Sequence, residues 1–269
     1  MTTTNITLDL MALAALLPAA ALGFRQQPQR DAVFWLVTAA AFIGPFLWSV
    51  TAFSNAWRAD LAAALWLSVA IAWGIFAFAA SMEKEMWRLA SLLGPLMLIF
   101  GIFAVIWSGD IPGRPLSLAK GASAGLGIHI AVSVTTYAIV TLAAVAGFAG
   151  ILQDRALKAK QPTRLTRELP SLTTCDDLMI RLLGIAEAIL ALGLISGMAL
   201  NVKAAGSLLT FDHKTILAVG AFTLIAILLV AHRMSGLRGR KAARWALSAY
   251  LCLTMGYPGV KFVTDVILT

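Results

Sequence analysis

The stretch that decides the fold is "FDHKTILAVGAFTLIAILLVAHRMSGLRGRKAARW", residues 211–245. Residues 215–231 carry no charge, and a dense set of basic residues follows: Arg233, Arg238, Arg240, Lys241 and Arg244. An uncharged run of this length between polar ends suits a helix that crosses a hydrocarbon layer. A histidine stands at each end, His213 and His232, 19 positions apart. At 1.5 Å per residue that is roughly 28 Å, so the two rings lie at opposite membrane faces and cannot share a metal ion.

The same pattern recurs along nearly the whole chain. Of its 269 residues 60% are hydrophobic and 13% charged, against about half and a quarter in an average soluble domain. Mean hydropathy is +0.86. The chain is therefore expected to be all-α and polytopic. Eight transmembrane helices are predicted at about 6–24, 32–52, 61–80, 88–108, 122–152, 178–200, 213–232 and 242–266. Only helices satisfy every backbone polar group within their own segment in lipid, and no alternating barrel pattern is present. The N-terminal run lacks a basic n-region and reads as a retained first helix rather than a signal peptide.

Loop charges orient the stack. One set of loops carries 15 of the 21 basic residues, including Arg25, Arg88, Arg164, Arg167 and Arg240; the other set carries six. The positive-inside rule places the richer set in the cytoplasm and both termini outside. The net charge of +8 is thus topogenic, and membrane lipid rather than nucleic acid is the expected partner. The segment 153–177 reads as a basic cytoplasmic loop near anionic lipid, with docking of a partner as the alternative. It includes Cys175. With Cys252 in the last apolar run, the two cysteines form no disulfide framework, and no CxxC or CxxCH occurs.

Neither a phosphate-binding glycine motif nor a Ser-His-Asp set is present, so no catalytic residue is assigned and the chain is not expected to be an enzyme. Chemistry falls to three histidines and a few intramembrane polar groups. His129 in "GLGIHIAVSVTTYAIV" is placed at the outer interface, with Ser133, Thr136 and Tyr137 at i+4, i+7 and i+8. Such a polar stripe is costly against lipid, so this face is expected to point into the bundle. His213 begins its span on the same side. His129 and His213 could converge as axial ligands of a non-covalently held haem iron, with Lys214 and Lys120 near the propionates. An interfacial histidine can equally be a hydrogen-bonded helix-end residue. His232, at a helix C-terminus, suits the helix dipole. Glu187 is the acid deep in a span, which makes either a proton or cation path or a protonated acid bonded to a neighbouring helix. Asp9 lies close enough to the outer surface to need no role.

These segments resemble the cytochrome c assembly (CcsA/CcmC-like) membrane proteins, closest to the short YpjD/HemX-like branch. Residues 120–266 carry the likeness. It rests on the "HK" opening at 213, the "GLRGRKAA" turn after His232, and "YPGVKFV" at 257–263. It also rests on "HIAVSVTTYAIV … QDRALK" from His129, "LP" at 169–170 and "LGLISG" at 192–197. The resemblance implies haem handling in a bacterial inner membrane. His129 matches the family's first external histidine and His232 its membrane histidine on the haem's route, with other cytochrome c assembly proteins or apocytochrome c as partners. Two departures stand out. "LLTFDHK" at 208–214 replaces the tryptophan-rich WWD segment, and "TDVILT" at 264–269 lacks the second external histidine. His213 falls on the degenerate WWD position and is a candidate replacement ligand. Loss of that motif weakens the case for direct presentation of haem to apocytochrome c. A divalent metal ion transporter using Glu187 and the histidines is one alternative. A regulatory partner of a haem-synthesis or assembly enzyme, acting through 153–177, is another.

Overall fold

The computed structural model describes residues 3–25, 28–55, 60–108, 124–205 and 212–264. Among them every regular element is helical. The long helices are α1 (Thr3–Ala20), α2 (Ala32–Asn55), α3 (Leu61–Met82), α4 (Ala90–Ile106), α5 (Ala124–Ala159), α7 (Leu172–Ala205), α8 (His213–Ser235) and α9 (Gly239–Thr254). Two short helices complete the set, α6 (Arg164–Glu168) and α10 (Val260–Phe262). Seven of the helices are long and apolar enough to cross a membrane, so the chain is a polytopic all-α membrane protein.

The eighth apolar run is helical but not regular. After α9 the chain widens into a π turn at Met255–Gly259, where the Val260 N–H donates to the Met255 carbonyl five residues back. Pro258 is the physical cause. It has no N–H to offer the carbonyl four residues earlier, and its ring crowds that carbonyl, so the helix takes an extra residue into the turn.

Two bundles share the molecule. In the first, α1 packs on α4 and α2, and α3 packs on α2 and α4; in the second, α5 packs on α7 and α9, and α8 packs on α9 and α7. Helices α3 and α5 join them. Asp9, expected near the surface, is instead buried in the first bundle, where it accepts a hydrogen bond of 3.0 Å from Nε1 of the fully buried Trp66. An indole N–H in apolar surroundings needs an acceptor, and an acid on the neighbouring helix supplies it.

The basic loops converge at one end of the molecule. Arg164 donates to the carbonyls of Phe24 and Arg25, Arg30 to the Ser81 carbonyl, and Arg181 to Glu83. Arg25 pairs with Asp31, holding that carboxyl well below the usual carboxylate range. The segment 153–177 is less of a loop than its composition suggested. Helix α5 runs on to Ala159, α7 starts at Leu172, and α6 lies between. Gln153 closes the hairpin by donating to the carbonyls of Thr166 and Pro170, both at 2.8 Å. Cys175 accordingly sits buried in the first turn of α7, and both cysteines are free. Beyond α8 the chain reverses through Gly236 at φ +67°, which leaves the helix in the left-handed conformation that glycine tolerates best.

Candidate functional site

At the end opposite the basic loops a cavity of about 420 Å³ opens among α5, α7, α8 and the π turn. The α5 wall is the polar stripe read from the sequence: His129, Ser133, Thr136 and Tyr137 all line the cavity. The Ser133 and Thr136 hydroxyls are compatible with an apolar setting because each finds a local acceptor. Ser133 donates to the His129 carbonyl at 2.7 Å and Thr136 to the Val132 carbonyl at 2.9 Å. Helix α7 presents Leu190, Leu194, Met198 and Asn201, with Gly193 and Gly197 between them. The π turn contributes Gly256 and Tyr257. Tyr137 stacks on Tyr250, with ring centroids 5.9 Å apart, and lies 5.8 Å from Tyr257, so the three tyrosines of the chain cluster here, with Tyr137 and Tyr257 on the cavity wall.

His129 is held on two sides. A Cβ added at Gly197 would stand 3.1 Å from its Cε1, so the ring lies flush against α7 only because that residue is glycine. Its Nδ1 lies 2.9 Å from Ser196 Oγ, and that hydroxyl donates its proton to the Gly193 carbonyl at 2.9 Å. A serine hydroxyl has one proton to give. When that proton goes to Gly193, Ser196 accepts from His129, and the imidazole then carries its proton on Nδ1 and keeps the lone pair on Nε2. This is the tautomer of a metal-ligating histidine whose other nitrogen is fixed by a hydrogen bond.

The structure does not bring His213 into this cavity. It is the first residue of α8 and is exposed, whereas Lys214, Thr215 and Ala218 line the cavity. Successive residues of a helix turn by about 100°, so a wall made by 214, 215 and 218 points 213 elsewhere. Asp212, also on the cavity wall, caps α8 by accepting from the Thr215 N–H at 2.8 Å. Hydrogen bonding to Thr215, from its side chain first and its backbone second, holds the Asp212 carboxyl below the ordinary value. Lys120 lies outside the described residues, as do 208–211 of the degenerate WWD position and the terminal 265–269.

His232 lies at the basic end, apart from the cavity. Its Nδ1 is 2.9 Å from the Leu237 carbonyl, which can only accept, so this ring too bears its proton on Nδ1. Asp176 on α7 accepts from the Gly239 N–H at 2.9 Å and feels the charges of Arg238 and His232. Glu187 is half-buried on α7, and both of its carboxyl oxygens are buried without a hydrogen-bond partner. Among the described residues no group of three or more His, Cys, Asp or Glu side chains is placed to hold a metal ion.

Sequence reasoning missed Ser196, Gly197 and Tyr257. The first two stand in the "LGLISG" stretch noted for its resemblance, but only the packing of α5 on α7 reveals what they touch. Tyr257 stands in the "YPGVKFV" stretch of the resemblance, and the proline beside it is the sequence signal of an irregular turn.

The sequence model of the cytochrome C assembly protein family matches residues 59–268. The chain belongs to that family. A protein of Azospirillum brasilense described as a 28.8 kDa protein in a nifR3-like 5′ region is 44% identical over 98% of both chains. Inner membrane protein YpjD of Escherichia coli is 26% identical over 65% of each chain. Cytochrome c biogenesis protein CcsA of Crocosphaera subtropica is 29% identical over 44% of this chain and 35% of its own. No solved structure matches. Membership and the apolar helices together make this a multi-pass inner-membrane protein of the cytochrome c biogenesis class. The match spans all of the second bundle, and with it the cavity, and reaches into the first only from α3 onward.

Proposed function

We propose that the protein binds haem non-covalently in the cavity lined by His129, as a haem-holding component of cytochrome c biogenesis rather than an enzyme. The observation that supports this most strongly is the position of His129, which lines the cavity while its Nδ1 is engaged by Ser196, so that Nε2 is the nitrogen left for a ligand. The surroundings fit the same group. The walls are largely apolar, the volume lies within the range of small-molecule sites, and Lys214 and Asn201 stand on the wall to meet carboxylates. Haem bound there would supply an iron that could be held by the His129 imidazole and two propionates that would need polar partners. His129 is the ligand this reading assigns. The role of His213 as its opposite ligand is not supported by an exposed side chain beyond the cavity wall. We place the cavity on the outer face and the basic loops in the cytoplasm, with both termini outside, because the loop charges favour that orientation. His232 then marks the cytoplasmic side of a haem route, and apocytochrome c or other assembly proteins are the partners.

The test is the absorption spectrum of the protein purified after haem-replete expression. A Soret band is expected, lost in His129→Ala and weakened about tenfold in retention by Ser196→Ala, the usual scale for a partner that orients a ligand. Absence of the band in the wild type would overturn the reading. Transport of a divalent metal ion is a second reading, and the one observation in its favour is the pair of unpartnered buried oxygens on Glu187. Loss of metal tolerance in a Glu187→Gln strain with an intact haem spectrum would favour it.

A further inference from the structure

A second cavity, of about 590 Å³, lies at the basic end, far from His129. Its walls come from three separated segments: Pro28 after α1, Trp87 and Arg88 from the turn before α4, and Pro162 with Arg164 and Arg167 around α6. Three guanidinium groups face one carboxylate, that of Glu168, so the lining residues carry a net charge of +2 (three minus one).

These arginines are not all occupied. Arg164 holds the carbonyls of Phe24 and Arg25 and sits 3.5 Å from Glu168. Arg88 lies 3.1 Å from Glu85 and over the Trp87 ring, and its Nε is buried without a hydrogen bond of acceptable geometry. The Arg167 side chain is exposed and makes no hydrogen bond or ion pair among the described residues. A topogenic arginine needs only to stay in water. Here, by contrast, the packing of α6 brings two of them to an arginine from a distant part of the chain, around a shared concave space.

The geometry points to a phosphate-bearing anion as the occupant, and we propose that it is the headgroup of an anionic phospholipid in the leaflet at the basic end. Guanidinium groups bind phosphate through paired N–H donors, and basic pockets between membrane helices take such headgroups. The site's depth favours a lipid over a free ion. Trp87 stands at the start of a membrane-crossing run, where an indole marks the interface, and Phe24, whose carbonyl Arg164 holds, is 79% exposed as a surface for an acyl chain. The proline and tryptophan walls would cover the glycerol region. Arg167 and Arg88 are the groups with donors to spare, and Arg164 is the structural one.

The experiment uses the full chain in nanodiscs of mixed phosphatidylcholine and phosphatidylglycerol, with retained lipid read by native mass spectrometry. Wild type is expected to retain phosphatidylglycerol preferentially. Arg167→Gln and Arg88→Gln should each weaken that retention about fivefold, the scale of one basic residue at an anionic surface. Arg240→Gln, equally basic but outside the cleft, should leave it unchanged. Arg167→Gln removes no contact, so it is expected to fold as the wild type does. Equal retention by wild type and Arg167→Gln, or an equal loss in Arg240→Gln, would overturn the site. Displacement of the lipid by inorganic phosphate in the buffer would overturn the lipid assignment and leave a soluble phosphate as the ligand. The haem spectrum does not enter this readout, so the two readings fail separately.

Discussion

The two bundles solve the same problem in opposite ways. In the first, small residues bring helices into close contact. A Cβ on Gly94 of α4 would run into the Ala19 carbonyl of α1, and Trp66, Trp73 and Phe76 of α3 are fully buried. In the second, glycines sit along the α5–α7 contact, yet Gly197 meets only the edge of a histidine ring and a cavity of about 420 Å³ remains. Helices in lipid gain little from hydrophobic transfer on meeting, so close packing is what stabilises each bundle. A hole therefore costs contacts, and it stands in the bundle that the family match covers throughout. On the proposed reading the closely packed bundle would serve as a support and the one with the cavity as a container.

Placing one substitution in both bundles tests that contrast, beginning with the largest effect. Gly94→Ala drives a methyl group into the backbone of α1, which cannot move away without opening the bundle. The cost should be about 3 kcal/mol, the upper end of ordinary overpacking. The expected outcome is a strong fall in monodisperse yield and in the thermal midpoint in detergent. Gly197→Ala meets the Cε1 edge of His129 at 3.1 Å, and a side chain beside a cavity can yield. That variant should fold with a midpoint close to wild type and lose haem retention, because the ring tilts and its bond to Ser196 lengthens. Equal destabilisation by both would erase the distinction between the halves.

Much of this was legible in the sequence, for physical reasons. Helix spans declare themselves through uninterrupted apolar runs, and the α5 stripe through spacing of 4, 7 and 8 residues from His129, since both are local properties of one segment. What one helix offers another was not legible. Asp9 looked peripheral until Trp66, 57 positions later, was seen to donate to it. The segment 153–177 read as a loop because its charges resemble those of loops, whereas Gln153 binding carbonyls of 166 and 170 makes it a closed hairpin. His213 was paired with His129 on the strength of a shared membrane side, which fixes depth but not the direction a side chain takes around its helix.

Smaller effects sharpen the hollow half. Glu187→Gln keeps the shape of a side chain whose oxygens have no partner and removes its titration. Stability and haem retention should both stay within the error of the wild type, about 0.5 kcal/mol for a change that breaks no contact. A large loss of haem would mean that the acid, and not only the α5 wall, belongs to the container.

The smallest expected effect falls on the residue that first drew attention. His213 begins α8, stands exposed, and is flanked by Asp212 and Lys214, both on the cavity wall. The cap of the helix is supplied by Asp212, so His213→Ala should leave α8 and the thermal midpoint unchanged. If the container is closed around His129 alone, the Soret position and haem retention should not move either, while Lys214→Ala, on the wall, should weaken retention. A spectrum that changes with His213→Ala and not with Lys214→Ala would require α8 to turn by about 100° when haem enters. That rotation would make the hollow bundle one that reshapes around its ligand, against a first bundle whose α1–α4 contact at Gly94 cannot open without cost.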